Sequence, residues 1–443
     1  MYEYVYEYGC GRCKAEQIDL ATGPRAEYEP STMATHPTYL IAGGGAAGFF
    51  AAIHAAQARP DARVVILEKS REPLAKVALS GGGRCNLTHA CFDPADLAAH
   101  YPRGGRELLG LLHRWGPRDT IDWFETRGVA LKTEPDGRVF PVSNRSADVV
   151  HTLRREADRL GVALQTGRIV DAATAEPGGG FQLHLRDGES LRGDALMLAT
   201  GGNQASPGFA VAAALGHTVE PPVPSLFTFH VRDARIDGLQ GLSVPAAQLA
   251  VDDQPLTAEG PLLITHWGFS GPAVLRLSAW GARRLAALDY HFTLRVRWRA
   301  GATAASVRDD WARLRQSHGR KTVRTSAPDD MPQRLWAALA TAGGVPESRT
   351  WSTLTRDEET RLSTQWLDSH FTVHGKSPFK EEFVTCGGVR LNEVDFRTMA
   401  SRRCPGLFLG GELLDIDGLT GGFNLQAAWA TGRTAGLGMA ARP

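Results

Sequence analysis

The sequence predicts an α/β protein. A parallel sheet with helices packed on it is assembled from two stretches far apart in the chain, and a β-rich and helical region is inserted between them. Three observations carry this. A short apolar run, Thr38 to Ala42, passes through Gly43-Gly44-Gly45-Ala46-Ala47-Gly48 into a good helix former, Phe49 to Ala56. A second apolar run, Arg63 to Leu67, ends on Glu68, 20 residues after Gly48. Near the end of the chain, Leu407-Phe408-Leu409 leads to the acid Glu412, a glycine turn at Gly421-Gly422 and a helical stretch from Leu425 to Gly436.

The first stretch is strand, tight turn, helix. In that setting Gly43 permits the sharp turn, Gly45 lets the backbone approach a pyrophosphate, and Gly48 lets the helix pack close to its strand. The helix N-terminus at Ala46 and Ala47 then turns free N–H groups and the positive dipole end toward phosphates. Glu68 stands where a Rossmann-like fold places the carboxylate that accepts ribose hydroxyls, with Lys69 beside it. The competing reading is a β-α-β unit whose glycines serve packing alone. The combination of strand, helix and acid favours the dinucleotide reading.

At 443 residues the chain accommodates two or three domains. The formal net charge of +1 gives no broad electrostatic case for binding nucleic acid or an acidic membrane. No apolar run reaches membrane-spanning length, and the first residues lack the basic-then-apolar layout of a signal peptide. Six scattered cysteines do not form a disulfide framework, which makes a reduced, cytoplasmic protein the default expectation.

Residues 1–37 differ from the rest, with Tyr2, Tyr4, Tyr6 and Tyr8 in alternation and then Cys10-Gly11-Arg12-Cys13. One C-x-x-C is half of a zinc ribbon, and no second pair follows nearby, so we expect no metal here. The favoured reading is a mobile N-terminal extension, or an upstream start codon with Met33 as the initiator. Residues 38–220 read as the first part of the cofactor domain, 221–300 as a β-rich insert, 301–370 as a helical insert and 371–443 as the second part.

Within the first part, Ser80-Gly81-Gly82-Gly83-Arg84-Cys85-Asn86-Leu87-Thr88 is a glycine-lined loop that lets backbone amides and a guanidinium approach an anionic or planar ligand. Cys85 lacks a partner cysteine at short spacing and reads as a ligand contact or packing residue rather than a redox thiol. Residues 104–128 read as two helices broken at Gly116-Pro117. Ala130 to Val142 reads as a hairpin turning at Pro135-Asp136-Gly137. Ser146 or Asn144 is expected to cap a helix from Ala147 to Leu160, and Leu164 to Ala173 is expected to pair with Phe181 to Arg186. Ala195 to Gly202, with Thr200-Gly201 at its end, reads as a strand returning to the first sheet. Pro221 to Pro224 marks a boundary, beyond which residues 225–300 alternate apolar and polar. His266 lies there, in Thr265-His266-Trp267-Gly268-Phe269-Ser270-Gly271-Pro272.

Four blocks are similar to the YhiN/BaiN-type flavoproteins, also described as the BaiN/RdsA or aminoacetone-oxidase-like family of NAD(P)/FAD-dependent oxidoreductases. They are Ile41 to Gly48 with Glu68-Lys69; Ser80 to Thr88; Gly137-Arg138-Val139-Phe140-Pro141; and Gly410-Gly411-Glu412 through Asp417-Gly418 to Gly421-Gly422-Phe423-Asn424-Leu425-Gln426. The Thr265 to Pro272 segment fits as well. The resemblance implies an FAD-binding domain in two parts around the insert. It implies that Gly43, Gly45 and Gly48 hold the pyrophosphate and that Glu68 and Lys69 meet the adenosine half. Lys76, Arg84, Cys85 and Asn86 would lie along the cofactor, Glu412 would bind the ribityl chain, and Gly422, Phe423 and Asn424 would border the flavin ring. Ala46, Ala47, Gly83, Thr200, Gly201, Gly411 and Gly421 complete the expected cofactor site. The chain departs from the family at Cys386, where Ala is common, and at Phe423, where Tyr is common.

The implied activity is hydride exchange between flavin N5 and a small-molecule substrate. No second Gly-x-Gly-x-x-Gly unit follows a strand, so NAD(P)H is expected to dock transiently over the flavin as electron donor. The family is associated both with NAD(P)H-linked reduction and with oxygen-dependent amine oxidation, and the residues do not choose between them; nor do they encode an oligomeric state. His266 is the candidate proton donor, against a loop-structuring histidine. Two further classes compete. A flavin-dependent nucleic-acid modifier would need a basic face, and a non-catalytic redox sensor would use Cys85 and Cys386.

Overall fold

The structure is a computed structural model, and it describes residues 36–203, 207–328, 331–376 and 384–442. The Cys10/Cys13 pair and the tyrosine alternation lie outside the described residues.

The central sheet has seven strands in the order Val394–Asp395, Ala400–Ser401, Leu407–Leu409, Ala195–Leu198, Thr38–Ala42, Arg63–Glu68, Ala163–Thr166. The last five are mutually parallel, and the two short ones at the edge are joined on by antiparallel pairings. Strands such as Val64-Val65-Ile66-Leu67 and Ala195 to Leu198 are buried along their length, as continuous apolar strands covered on both faces must be. The strand after Ala195 returns beside the first, as its sequence implies.

Two helices cover the parallel strands near the centre. The first, Ala46–Ala58, follows the glycine turn, and the closing helix, Phe423–Ala440, packs along it. Their axes come close because Gly432 and Gly436 face the first helix: a Cβ at either would collide with the carbonyl of Ala47 or Ala51. The closing helix runs past both ends of the predicted Leu425 to Gly436.

The insert holds a closed six-stranded barrel, ordered Phe229–Val231, Gly268–Ser270, Thr257–Thr265, Ser243–Val251, His291–Arg297, Ser369–Lys376. The last strand pairs back onto the first. It therefore belongs to the barrel, and a domain boundary at 370/371 would cut through it. Beyond the barrel, helices Ala304–His318, Gln333–Ala342 and Arg356–Leu367 gather around Trp311, Trp336, Trp351 and Trp366. Strand Val219–Ser225 pairs with Val384–Val389 at the chain's passage between barrel and sheet.

Three local expectations need correction. Residues 272–287, read as part of an alternating β region, form a helix with Pro272 in its first turn. Its buried Val274, Leu277, Ser278, Gly281, Ala282 and Leu285 recur at helical spacing. The helix expected from Ala147 begins at Ser146, its cap is Arg145 with no side-chain bond, and Ser146 is buried inside it. The stretch from Leu164 to Ala173 is two strands, Ala163–Thr166 in the main sheet and Val170–Ala175 paired with Phe181–Leu185, separated at Gly167 with φ 72°.

Candidate functional site

The site is built where the glycine turns meet at the carboxyl ends of the parallel strands, the place where open α/β sheets bind ligands. Gly43 has φ 115°, and a Cβ there would run into the Ala199 carbonyl. A Cβ at Gly48 would meet the Gly43 carbonyl, so the first helix packs tightly on its own turn. Gly45 is different, since a side chain there would meet open space. The helix that starts at Ala46 has no side-chain cap, which leaves first-turn N–H groups for a ligand.

Glu68 spans this turn. One carboxylate oxygen accepts from the Gly44 N–H at 2.7 Å, and the other accepts from the N–H and the hydroxyl of Ser70 at 2.8 Å. The carboxylate is held at the strand end with lone pairs to spare for hydroxyls. Lys69 beside it is exposed.

The second glycine run winds left-handed, with φ 59°, 68° and 82° at Gly81, Gly82 and Gly83. A Cβ at Gly81 would strike the Phe140 ring and the Asn86 backbone, whereas Gly82 and Gly83 face open space. Arg84 is pinned: its guanidinium lies 3.9 Å over the Phe140 ring and donates to Glu134 at 2.6 Å, which Arg138 also meets at 3.2 Å. Cys85 is fully buried with φ 61°, and burial pushes its thiol up to about 12. It is a packing residue here, with no reactive thiolate at neutral pH.

Asn86 joins the beginning of the chain to its end. Oriented to satisfy both its ends, its amide donates to the Thr88 carbonyl at 3.2 Å and accepts from the Gly422 N–H at 3.0 Å. Below it, Gln426 accepts from the hydroxyls of Thr88 at 2.7 Å and Thr120 at 3.0 Å and donates to the Trp115 carbonyl at 3.1 Å. Trp429 donates to the Leu87 carbonyl at 3.0 Å. These buried, satisfied bonds lock the two turns in register.

At the later turn, Gly411 has φ 66°, lies against the Ala47 side chain and donates to Thr431 at 3.0 Å. Glu412 forms an ion pair with Lys76, 336 residues earlier in the chain. Thr200 lies just past the strand Ala195–Leu198, and its buried hydroxyl has no partner among the described residues; a Cβ at neighbouring Gly201 would meet open space. The closing helix starts at Gly422, φ 95°, again with no side-chain cap.

Two expected flavin-bordering side chains are committed elsewhere. The Phe423 ring is buried between His89 and His100, with centroids at 4.7 and 4.4 Å, and its carbonyl accepts from Tyr101 at 2.7 Å. The Asn424 amide accepts from the Gly418 N–H at 2.8 Å and donates to the Gly418 carbonyl at 2.9 Å, folding the preceding loop. Both residues offer a ligand the backbone of the helix N-terminus. His266 stands exposed in the two-residue turn between barrel strands Thr257–Thr265 and Gly268–Ser270. It shares no hydrogen bond or ion pair with the glycine turns among the described residues.

Sequence reasoning missed His89, which packs against Gly421 and has a buried Nδ1 without a partner, while its Nε2 donates to the Asp136 carbonyl at 3.0 Å. Burial lowers its pKa. It also missed Glu134, and it missed Asp417, which is fully buried, ion-paired with Arg103 and accepts from Ser225 at 2.6 Å. The Gly137 turn against His89 and the Glu134–Arg138 spacing carried local signals; the Glu134–Arg84 and Asp417–Arg103 pairings run across long stretches of chain.

The elements present fit FAD. Open glycines at 45, 82, 83 and 201, an unpartnered Thr200 hydroxyl and two uncapped helix starts leave a backbone-lined cradle that side chains would fill. Among the described residues no cluster of His, Cys, Asp and Glu could hold a metal, and no helix is long and apolar enough to cross a membrane.

Residues 37–438 match the HI0933-like protein Rossmann domain. The chain is 32% identical over 411 residues to a 3-dehydro-bile acid delta(4,6)-reductase from Clostridium scindens, covering 91% of this chain and 99% of the relative. It is 29% identical over 409 residues to the ribosomal RNA dihydrouridine synthase of Escherichia coli K12, covering 88% and 95%. A 3-ketosteroid-delta4-(5alpha)-dehydrogenase from Rhodococcus jostii shares the fold, with a TM-score of 0.51 at 17% identity over 95% of this chain and 100% of that one. With two glycine-turned helix starts set against one sheet and the match running nearly from end to end, the chain belongs to the HI0933-like family of FAD-binding oxidoreductases.

Proposed function

We propose that this enzyme carries a hydride, through FAD, from NAD(P)H to a small unsaturated substrate. When bound, FAD supplies the hydride chemistry at its N5. The observation that carries the reading is the pair of uncapped helix starts, Ala46 and Phe423, tied into one frame by Asn86. The first directs N–H groups to a pyrophosphate; the second directs them to a flavin edge that gains negative charge on reduction.

In this reading Glu68 accepts ribose hydroxyls, Lys76 and Glu412 flank the ribityl chain, and Arg84 is held against the cofactor by Glu134 and Phe140. Thr200, whose hydroxyl has no partner among the described residues, donates it to the cofactor. His89 is a titratable side chain packed against the Gly421 turn, and it displaces His266 as first candidate for proton delivery. The names of two relatives describe reductions, of a bile acid and of uridine in ribosomal RNA, and both favour a reductase over an amine oxidase. The near-zero net charge favours a small molecule over RNA. A purely redox-sensing role is disfavoured by Cys85 and Cys386, both buried with thiols held above their ordinary pKa by desolvation.

The test is anaerobic reduction of the flavin-loaded protein with NADH, NADPH and a primary amine, followed by addition of a conjugated enone. Bleaching by a nicotinamide and recovery with the enone are expected. Bleaching by the amine alone would replace this reading with the oxidase. An H89N variant that keeps full enone turnover, beside an impaired H266N variant, would return the proton to His266.

A further inference from the structure

The barrel's long helix, Pro272–Ala287, buries one side and leaves a stripe on the other. Val274, Leu277, Ala282 and Leu285 anchor it, while Arg276, Trp280 and Arg284 recur every four residues on the exposed side. Residues four apart are neighbours on a helix surface, so each arginine stands one turn from the indole. At 1.5 Å per residue the two arginine positions lie about 12 Å apart along the helix, with Trp280 midway.

All three side chains are accessible and uncommitted. Trp280 is 49% exposed in a chain that buries most of its tryptophans, and its ring meets no aromatic or cationic partner among the described residues. The Arg276 and Arg284 guanidinium groups form no ion pair or hydrogen bond among the described residues. Arg283, also exposed, is already held by Asp415 at 2.6 Å. The loop that leads into the later glycine turn runs along this helix. Asp415 meets Arg283, Asp417 reaches the Ala279 carbonyl through Arg103, and Leu419 packs with Leu275 on the buried cluster of Leu226, Ala279 and Val384. Gly421 follows two residues later, so the flavin side of the stripe is its Arg276 end, and Arg284 is the far end. A ring flanked by two free cations on a rigid helix suits a stacked purine that carries a phosphate on either side. It is the footprint of one nucleotide rather than of a long strand.

We propose that this stripe docks the adenosine end of NADPH: the adenine stacks on Trp280, Arg276 takes the pyrophosphate, and Arg284 takes the 2′-phosphate that NADH lacks. The assignment rests on the hydride reading above, whose electron donor is this ligand. The test uses the flavin-loaded enzyme with adenosine 2′,5′-bisphosphate as probe and 5′-AMP as comparison, read by titration calorimetry, beside steady-state KM values for NADPH and NADH. The bisphosphate is expected to bind saturably, about threefold or more tighter than 5′-AMP. R284Q should abolish that preference and raise the KM for NADPH about threefold or more beyond any rise for NADH. W280A should weaken both nucleotides about fivefold or more. Both changes are at exposed positions and are expected to leave the fold intact. A flavin that NADPH does not bleach, in a protein whose bisphosphate binding is still lost in W280A, would strike the hydride reading and leave the nucleotide site standing. Four outcomes would overturn the site: no saturable bisphosphate binding, equal affinity for 5′-AMP, affinities and KM values unchanged in both variants, or a short single-stranded RNA that binds the stripe more tightly than the bisphosphate.

Discussion

The Arg84 guanidinium shows how a flexible cation is made into a fixed one. Phe140 covers one face and Glu134 takes one edge, so little side-chain freedom remains to be lost when a ligand arrives. E134Q is accordingly expected to raise the dissociation constant for FAD about threefold to tenfold, about 1 kcal/mol, as followed by flavin fluorescence. His54 makes a second residue-scale prediction. Burial lowers its pKa to about 4, so it stays neutral in the fold while an unfolded chain takes up a proton near its ordinary 6.5. Stability is then lost as pH falls from 6.5 toward 4, by up to about 3 kcal/mol, and H54Q should remove most of that slope in urea unfolding. At this scale the glycines were legible, because a forced φ or a close backbone approach leaves one residue type to choose from. The Phe423 ring was not. Its place between His89 and His100 is set by segments that approach only in the folded chain.

The closing helix is the element on which both halves of the site depend. Its small residues let it lie against the first helix, so that both N-termini reach the same cradle. G432A would put a methyl group into the Ala47 carbonyl and is expected to cost about 2–4 kcal/mol and to lower flavin content. G110A is the control: Gly110 sits in the helix Gly105–Arg114, a Cβ there meets nothing, and the change should be neutral or stabilise by about 0.4–1 kcal/mol. Thermal unfolding of the two variants side by side checks both. Strongly patterned elements were read correctly from sequence, including the hairpin at Pro135-Asp136-Gly137 and the two helices split at Gly116-Pro117. The helix Pro272–Ala287 is hidden in the sequence because β-strands flank it and its 3.6-residue period is embedded in an alternating stretch. The break at Gly167 was missed because a single left-handed glycine, with no turn partner, ends one strand and frees the next for another sheet.

For the molecule as a whole, the parallel sheet and the inserted barrel meet around Arg103. It pairs with Asp417 in the loop before the closing helix and donates to the Ala279 carbonyl of the barrel's helix at 2.7 Å. Removing one partner of a buried pair leaves the other charge uncompensated, and burial already raises the Asp417 pKa. R103M is expected to destabilise the protein by about 3–5 kcal/mol in denaturant unfolding and to release flavin before the barrel melts. The return of the Ala195 strand to the first sheet was implied by the strand-turn-helix units, whereas the place of Ala163–Thr166 in that sheet was not. Closure of the barrel by Ser369–Lys376 was not implied either, since nothing in an eight-residue strand names its distant partner.

The ion pair between Lys76 and Glu412 joins positions 336 residues apart. During synthesis at about 5–20 residues per second, the earlier glycine loop leaves the ribosome roughly 15–70 s before the acid that completes it. For most of that interval a half-built nucleotide cleft waits while the barrel is still being made, and the barrel can close only after Lys376, shortly before the acid. Flavin loading thus waits for synthesis of the later turn, and a chain stopped short of Gly422 would accumulate colourless.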